Sequence, residues 1–152
     1  MLRNVYRGDI YYADFYGAIG SEQKGIRPVL VLQNDIGNKY SPTTIVAPIT
    51  TIEVKAKMPT HIFVKANQYG LQDDSYILME QLRVIDKSRI KDYVGRINYK
   101  QMKEIEKAFL IAIGMKSTKV KVLSIAEVKE KEMTEDEIIS YLKLAFYNLK
   151  HS

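Results

Sequence analysis

The sequence predicts a mainly β domain with one helix, a small barrel or sandwich, followed by a helical extension. Three observations carry that reading. Short β-rich runs recur at close spacing through the first two-thirds of the chain, separated by turn residues. After Asn98 the apolar residues recur at three- and four-residue steps instead. The length, 152 residues, suits one domain with a modest core and an appendage.

Asp9 to Phe15 contains Ile10, Tyr11, Tyr12 and Phe15 after Gly8, and reads as a strand. Pro28 to Gln33 is a continuous apolar run, a buried strand that opens on a proline. Asp35 to Pro42, with its Gly, Asn and Ser, reads as a loop. Thr43 to Thr51 is β-branched, and its Pro48 predicts a sheet edge or a bulge. Strands at Thr60–Lys65, Ser75–Leu82 and Tyr93–Ile97 follow. Met102, Ile105, Ala108, Phe109, Ala112 and Ile113 then line one side of a helix that Asn98 caps and Gly114 stops. A lysine-rich connector, 116–121, leads to Thr134-Glu135-Asp136-Glu137, a capping box for a second helix. Ile138, Leu142, Ala145 and Leu149 share a face of that helix, which must bury against its own domain, a second copy or an outside partner. The chain thus divides into a barrel domain, 1–115, and an extension, 116–152.

Composition narrows the function. The chain has no cysteine, so a disulfide framework, a zinc finger and a thiolate nucleophile are out. A site needing two histidines would have to use both His61 and His151. The longest strongly apolar stretch, Ala108 to Met115, is far shorter than the ~20 residues that span a bilayer. No apolar signal core stands at the N-terminus, so the expected setting is the cytoplasm, without a membrane partner. The net charge of +5 permits a polyanionic partner without demanding one, and most of it lies in residues 1–115. Tyrosine supplies 11 of the 15 aromatic residues; a tyrosine can stack on bases or proteins, or sit half-buried in a strand.

The informative segment runs from Asp14 to Leu32. A polar loop, Gly20-Ser21-Glu22-Gln23-Lys24-Gly25, separates two apolar strands. Arg27 stands where that loop becomes a buried strand, and Pro28 restricts it to an extended conformation. A permanently charged, bidentate group on a rigid base suits a phosphate. The alternative is a structural ion pair with Glu22 or Asp14.

Several ordered blocks resemble the MazF/PemK family of toxin endoribonucleases, the toxin halves of bacterial type II toxin–antitoxin pairs. They are Gly8-Asp9-Ile10-Tyr11, Gly20-Ser21-Glu22-Gln23 with Arg27-Pro28-Val29-Leu30-Val31, Gln33-Asn34-Asp35, Ile49-Thr50-Thr51 and Leu78-Met79-Glu80-Gln81. Gln33 to Asn38, Lys55 to His61 and Ile85-Asp86-Lys87 match the Gram-positive branch in particular. The resemblance covers about residues 5–114. It implies an SH3-like β-barrel with a C-terminal helix, a homodimer, and metal-independent cleavage of single-stranded RNA at short sequences. The implied products are 2′,3′-cyclic phosphate and 5′-hydroxyl ends. The implied inhibitor is a cognate antitoxin with an acidic, disordered segment.

The resemblance also assigns residues. Arg27 matches the catalytic arginine, whose role is to stabilise the phosphorane; it stays protonated, which makes it a poor base. Thr50 matches the catalytic threonine, able to hydrogen-bond a phosphate oxygen or relay a proton. Glu22, the loop's one acid, is a candidate base or a brace for the loop. Tyr16, Ile19, Gly20, Ser21, Gln23, Asn34, Met58 and Gln81 are candidate RNA contacts, since single strands are read by stacking and by exposed base edges. His61 reads as structural, or as an RNA or dimer contact. Two departures stand out. Phe15-Tyr16-Gly17 and Lys24 differ from the usual loop and could change the RNA sequence recognised. The extension beyond 116 is absent from most members and could extend a dimer interface or cover part of a groove. Two rival readings exist: a non-enzymatic poison of DNA gyrase on the same fold, which would lack the Arg27–Thr50 pair, and a plain RNA-binding barrel, which would need a larger basic patch.

Overall fold

The structure, a computed structural model, describes residues 4–51 and 58–115, all within the unit Met1–Ser117. The expected helix over 134–149 and the connector before it lie outside the described residues. The elements are β1 (Asp9–Asp14), β2 (Ile26–Val31), α1 (Asp35–Tyr40), β3 (Thr43–Thr50), β4 (His61–Val64), β5 (Ser75–Leu78), β6 (Arg83–Asp86), β7 (Ile90–Arg96) and α2 (Tyr99–Ala112). One-turn 3₁₀ helices at Met79–Gln81 and Lys87–Arg89 flank β6.

All pairings are antiparallel, in the order β4-β5-β3-β2-β1-β7, with β6 also on β3. The mainly β class with one helix is therefore as expected, and the ladder is open between β4 and β7 rather than closed. Alternation along the strands sends side chains to two cores. Ile10, Leu30, Ala47, Ile49 and Ile77 face α2, which contributes Met102, Ile105 and Ala108. Tyr11, Ala13, Phe15, Val29, Val31, Val46, Ile85 and Ile90 fill the other face.

Helix α2 has the ends that its sequence predicts. The Asn98 side chain accepts from the Gln101 N–H at 2.8 Å. Gly114, at φ +72°, lets the Gly114 and Met115 N–H groups return to the Ile111 and Leu110 carbonyls, a Schellman stop.

Three local features differ from the sequence reading. The expected loop 35–42 contains α1, although Gly37 and Asn38 are weak helix formers. Tertiary bonds override that propensity: Asn34 caps α1 through the Gly37 N–H at 2.8 Å, and buried Asn38 joins the Gln33 carbonyl to the Thr44 hydroxyl. The Lys87 ammonium then donates to the Asn38 and Ser41 carbonyls. Pro48 lies in a central strand, not at an edge. On one side β3 pairs with β6 up to Val46 and with β5 from Ile49, so Pro48 falls at the break between the two ladders. Finally, β6 was not expected, and the run from Ser75 stays extended only to Leu78.

Candidate phosphodiester-binding site

Strand register places the first pair of functional side chains. β2 pairs with β3 as Val29–Pro48, Leu30–Ala47 and Val31–Val46. The ladder ends at Val29–Pro48, and its spacing carried two residues further along both strands would bring Arg27 level with Thr50. Both residues then share the face opposite Ile49, which points into the α2 core. Thr51 would fall on the other face, and it is exposed where Thr50 is buried. β1 places Ala13 on the far side of Arg27, and β5 places Tyr76 on the far side of Thr50.

The loop between β1 and β2 is built largely from its own bonds. The Phe15 N–H donates to the Gly25 carbonyl at 3.0 Å and closes its base. Gly20 (φ +59°) and Gly25 (φ +72°) take the left-handed backbone that a side chain would strain. The Arg27 Nε donates to the Lys24 carbonyl at 2.8 Å, and an Nη donates to the Gln23 side-chain oxygen. The guanidinium plane is thereby fixed against the loop. Partial burial, and then the neighbouring Arg83 guanidinium, hold the Arg27 pKa below its ordinary value. An incompletely hydrated cation beside a second cation is primed for an anion.

Glu22 braces this loop. Its carboxylate accepts from the Ile19 N–H at 3.0 Å and lies 3.6 Å from Arg83. The Arg83 guanidinium also sits 4.6 Å from the centre of the Phe15 ring. Gln81 reaches across from the 3₁₀ turn, accepting from the Gln23 N–H at 3.0 Å. Ser21, Glu22, Glu80, Gln81, Leu82 and Arg83 line an open groove of about 550 Å³. His61, its ring nearly buried, meets the Glu80 carboxylate at 2.7 Å through Nε2.

The sequence-predicted residues divide on this geometry. Arg27 and Thr50 come together on one face, with Glu22, Ser21, Gln23 and Gln81 in the loop and groove beside them. Tyr16 and Ile19 project from the loop, 77% and 79% exposed. Asn34 does not join them: it lies beyond the opposite end of β2 from Arg27, and its side chain caps α1. Met58 is exposed, and its carbonyl accepts from the His61 N–H at 3.0 Å. The sequence reading assigns no role to Arg83, nor to Glu80 within the Leu78–Gln81 block. The available signal was charge placed directly around Gln81 and Leu82, between apolar runs.

Gln81→Ala should loosen the loop without touching Arg27 or Thr50. A lost neutral hydrogen bond contributes about 1 kcal/mol. The expected result is a KM raised about fivefold on single-stranded RNA, with kcat little changed, read from steady-state cleavage.

Fold and site together define a small antiparallel sheet on which two guanidinium groups, Arg27 and Arg83, stand beside a polar loop. Residues 6–113 match the model of the PemK-like, MazF-like toxins of type II toxin–antitoxin systems, and the chain belongs to that family. Endoribonuclease EndoA of Bacillus subtilis is 50% identical over 111 residues, which are 73% of this chain and 96% of that protein. Endoribonuclease MazF of Staphylococcus saprophyticus is 51% identical over 109 residues, 72% of this chain and 91% of that protein. Among solved structures, MazF from Deinococcus radiodurans shares the fold at a TM-score of 0.64 with 23% identity, covering 74% of this chain and 99% of that one. Among the described residues, no helix is long and apolar enough to cross a membrane.

Proposed function

We propose that the chain is a sequence-specific, metal-independent endoribonuclease toxin acting on single-stranded RNA, messenger RNA included. The observation that supports this reading is the Arg27 guanidinium, held by the loop at Lys24 and Gln23 beside a second cation, Arg83. Kinship to proteins named endoribonucleases supports it.

In the proposed reaction the 2′-oxygen attacks the adjacent phosphorus. The O2′–P bond forms as the 2′-hydroxyl gives up its proton, the P–O5′ bond breaks, and the 5′-oxygen takes a proton. The products are a 2′,3′-cyclic phosphate and a 5′-hydroxyl. Arg27 stabilises the charge that builds on the phosphorane oxygens. Thr50 hydrogen-bonds a phosphate oxygen or relays the proton. Glu22 keeps the loop and Arg83 in place, which fits its bonds better than a role as base. Tyr16, Ile19, Gly20, Ser21 and Gln23 contact bases and phosphates from the loop.

The face that carries Arg27 and Arg83 suits an acidic, extended antitoxin segment, because the two guanidinium groups would meet its carboxylates. The proposal includes a homodimer, a cytoplasmic setting, and a boundary near residue 116 between the toxin domain and its extension.

Thr50→Val keeps the shape and removes the hydroxyl. It should lower kcat by about 10- to 100-fold, and Thr50→Ser should restore most of it, in the range for one transition-state hydrogen bond. The proposal itself is tested by incubating the purified chain and Arg27→Ala with a long single-stranded RNA in EDTA. Cleavage by the unaltered chain alone is the expected result. Binding of RNA or gyrase without any cleavage would overturn it.

A further inference from the structure

Phe63 leaves a large apolar ring 47% exposed on β4, the end strand of the sheet. The β4–β5 register sets Phe63 opposite Tyr76, and their ring centres are 5.4 Å apart at 56°. Tyr76 is in turn opposite Thr50, which the β2–β3 register sets level with Arg27. One row on one face therefore runs Phe63, Tyr76, Thr50 across three adjacent strands, and the β2–β3 register continued past Val29–Pro48 leads to Arg27. Ile62, Ile77 and Ile49 turn the other way, against the α2 core. With strands about 4.8 Å apart, Tyr76 is rooted about 5 Å from Thr50 and about 10 Å from Arg27, with Phe63 one strand beyond. The row is backed by α2, whose Gln101 Nε2 donates to the Phe63 carbonyl at 3.4 Å.

We propose that Phe63 and Tyr76 form a stacking platform for a nucleobase of the strand whose phosphate Arg27 holds. The inference rests on the RNA-cleavage reading for its substrate. Its chemistry is that of single-stranded nucleic acid: cations for the backbone, with flat rings about one nucleotide away for a base. Arg27 stands at one end of the row and the rings at its other end, where β4 is the last strand among the described residues. Because every base has a π face, the platform adds affinity without choosing a sequence. Sequence choice is then left to the loop at 16–25.

The chain has no tryptophan, so Phe63→Trp creates a single tryptophan reporter, excited apart from the tyrosines, in the full chain. The probe is a single-stranded RNA methylated at every 2′-oxygen, which keeps bases and phosphates but has no 2′-hydroxyl to attack. Saturable quenching is the expected result. On cleavable RNA, Phe63→Leu should raise KM about 5- to 100-fold with kcat changed by less than about twofold, and Phe63→Tyr should restore KM. An unquenched tryptophan with an unchanged KM for Phe63→Leu overturns the platform, and continued cleavage would leave the nuclease reading standing. Quenching without cleavage by the unaltered chain keeps the platform and removes the nuclease. A Phe63→Leu chain that changes sedimentation but not KM assigns the rings to a contact between copies and also overturns the proposal. Should Phe63→Leu fail to fold, the quenching result decides alone.

Discussion

Arg27→Ala is expected to reduce kcat on single-stranded RNA by about 100- to 1000-fold, the usual loss when one preorganised electrostatic donor is removed from a transition state. Arg27 is anchored through Nε and Nη to Lys24 and Gln23, so its orientation is set before substrate arrives. Partial burial and the Arg83 charge leave it incompletely neutralised, and a developing phosphorane supplies the missing anion. Arg27→Lys keeps the charge but not the planar fork, so it should recover only part of the loss. Single-turnover rates separate this effect from binding. A loss below about tenfold for Arg27→Ala would place phosphorane stabilisation elsewhere.

Gly95→Ala should destabilise the fold by about 3 kcal/mol, the upper end for forcing extra volume into a packed site. A Cβ at Gly95 would lie 2.0 Å from the Tyr69 carbonyl oxygen and 2.6 Å from its carbon. These are backbone atoms, which cannot swing aside like a side-chain tip. The turn opposite is already demanding: Asn67 and Tyr69 adopt positive φ, at 62° and 52°, and Gly70 takes +82°. A Cβ on Gly70 would reciprocally meet the Val94 carbonyl oxygen at 2.1 Å. The two glycines thus let β7 lie flush on the turn. The checks are the denaturant midpoint of Gly95→Ala and its m-value, which should stay unchanged if only the native state is strained.

The fold was legible wherever a local rule agreed with the tertiary one. β1 and β3 show their β-rich composition and α2 its period, and Asn98 and Gly114 mark the ends of α2. It was not legible where tertiary partners decide. α1 forms across Gly37 and Asn38 because Asn34, Thr44 and Lys87 satisfy its polar groups. Pro48 tolerates a central strand because β3 changes partners there. β6 is four residues long with charge at both ends, too short to show a period. At the site, Pro28 and the loop glycines made Arg27 conspicuous. Its alignment with Thr50 needs the β2–β3 register, which no spacing along the chain reveals. Asn34 was grouped with the site through a sequence block, yet a cap at the far end of β2 is its structural role. Arg83 carries no motif of its own, and only the fold brings it beside Glu22 and Phe15.

The account stands on one reaction, an attack by the 2′-oxygen of RNA at a phosphate held by Arg27 near Thr50. The chemistry of the fragment ends tests it most directly. Long single-stranded RNA is cut by the full chain in EDTA, and the fragments are analysed without prior phosphatase treatment. The account predicts 5′-hydroxyl ends that accept a labelled phosphate directly, paired with 2′,3′-cyclic phosphates, and no cutting of RNA methylated at its 2′-oxygens. Fragments carrying 5′-phosphates and 3′-hydroxyls would show attack by water instead and would contradict it.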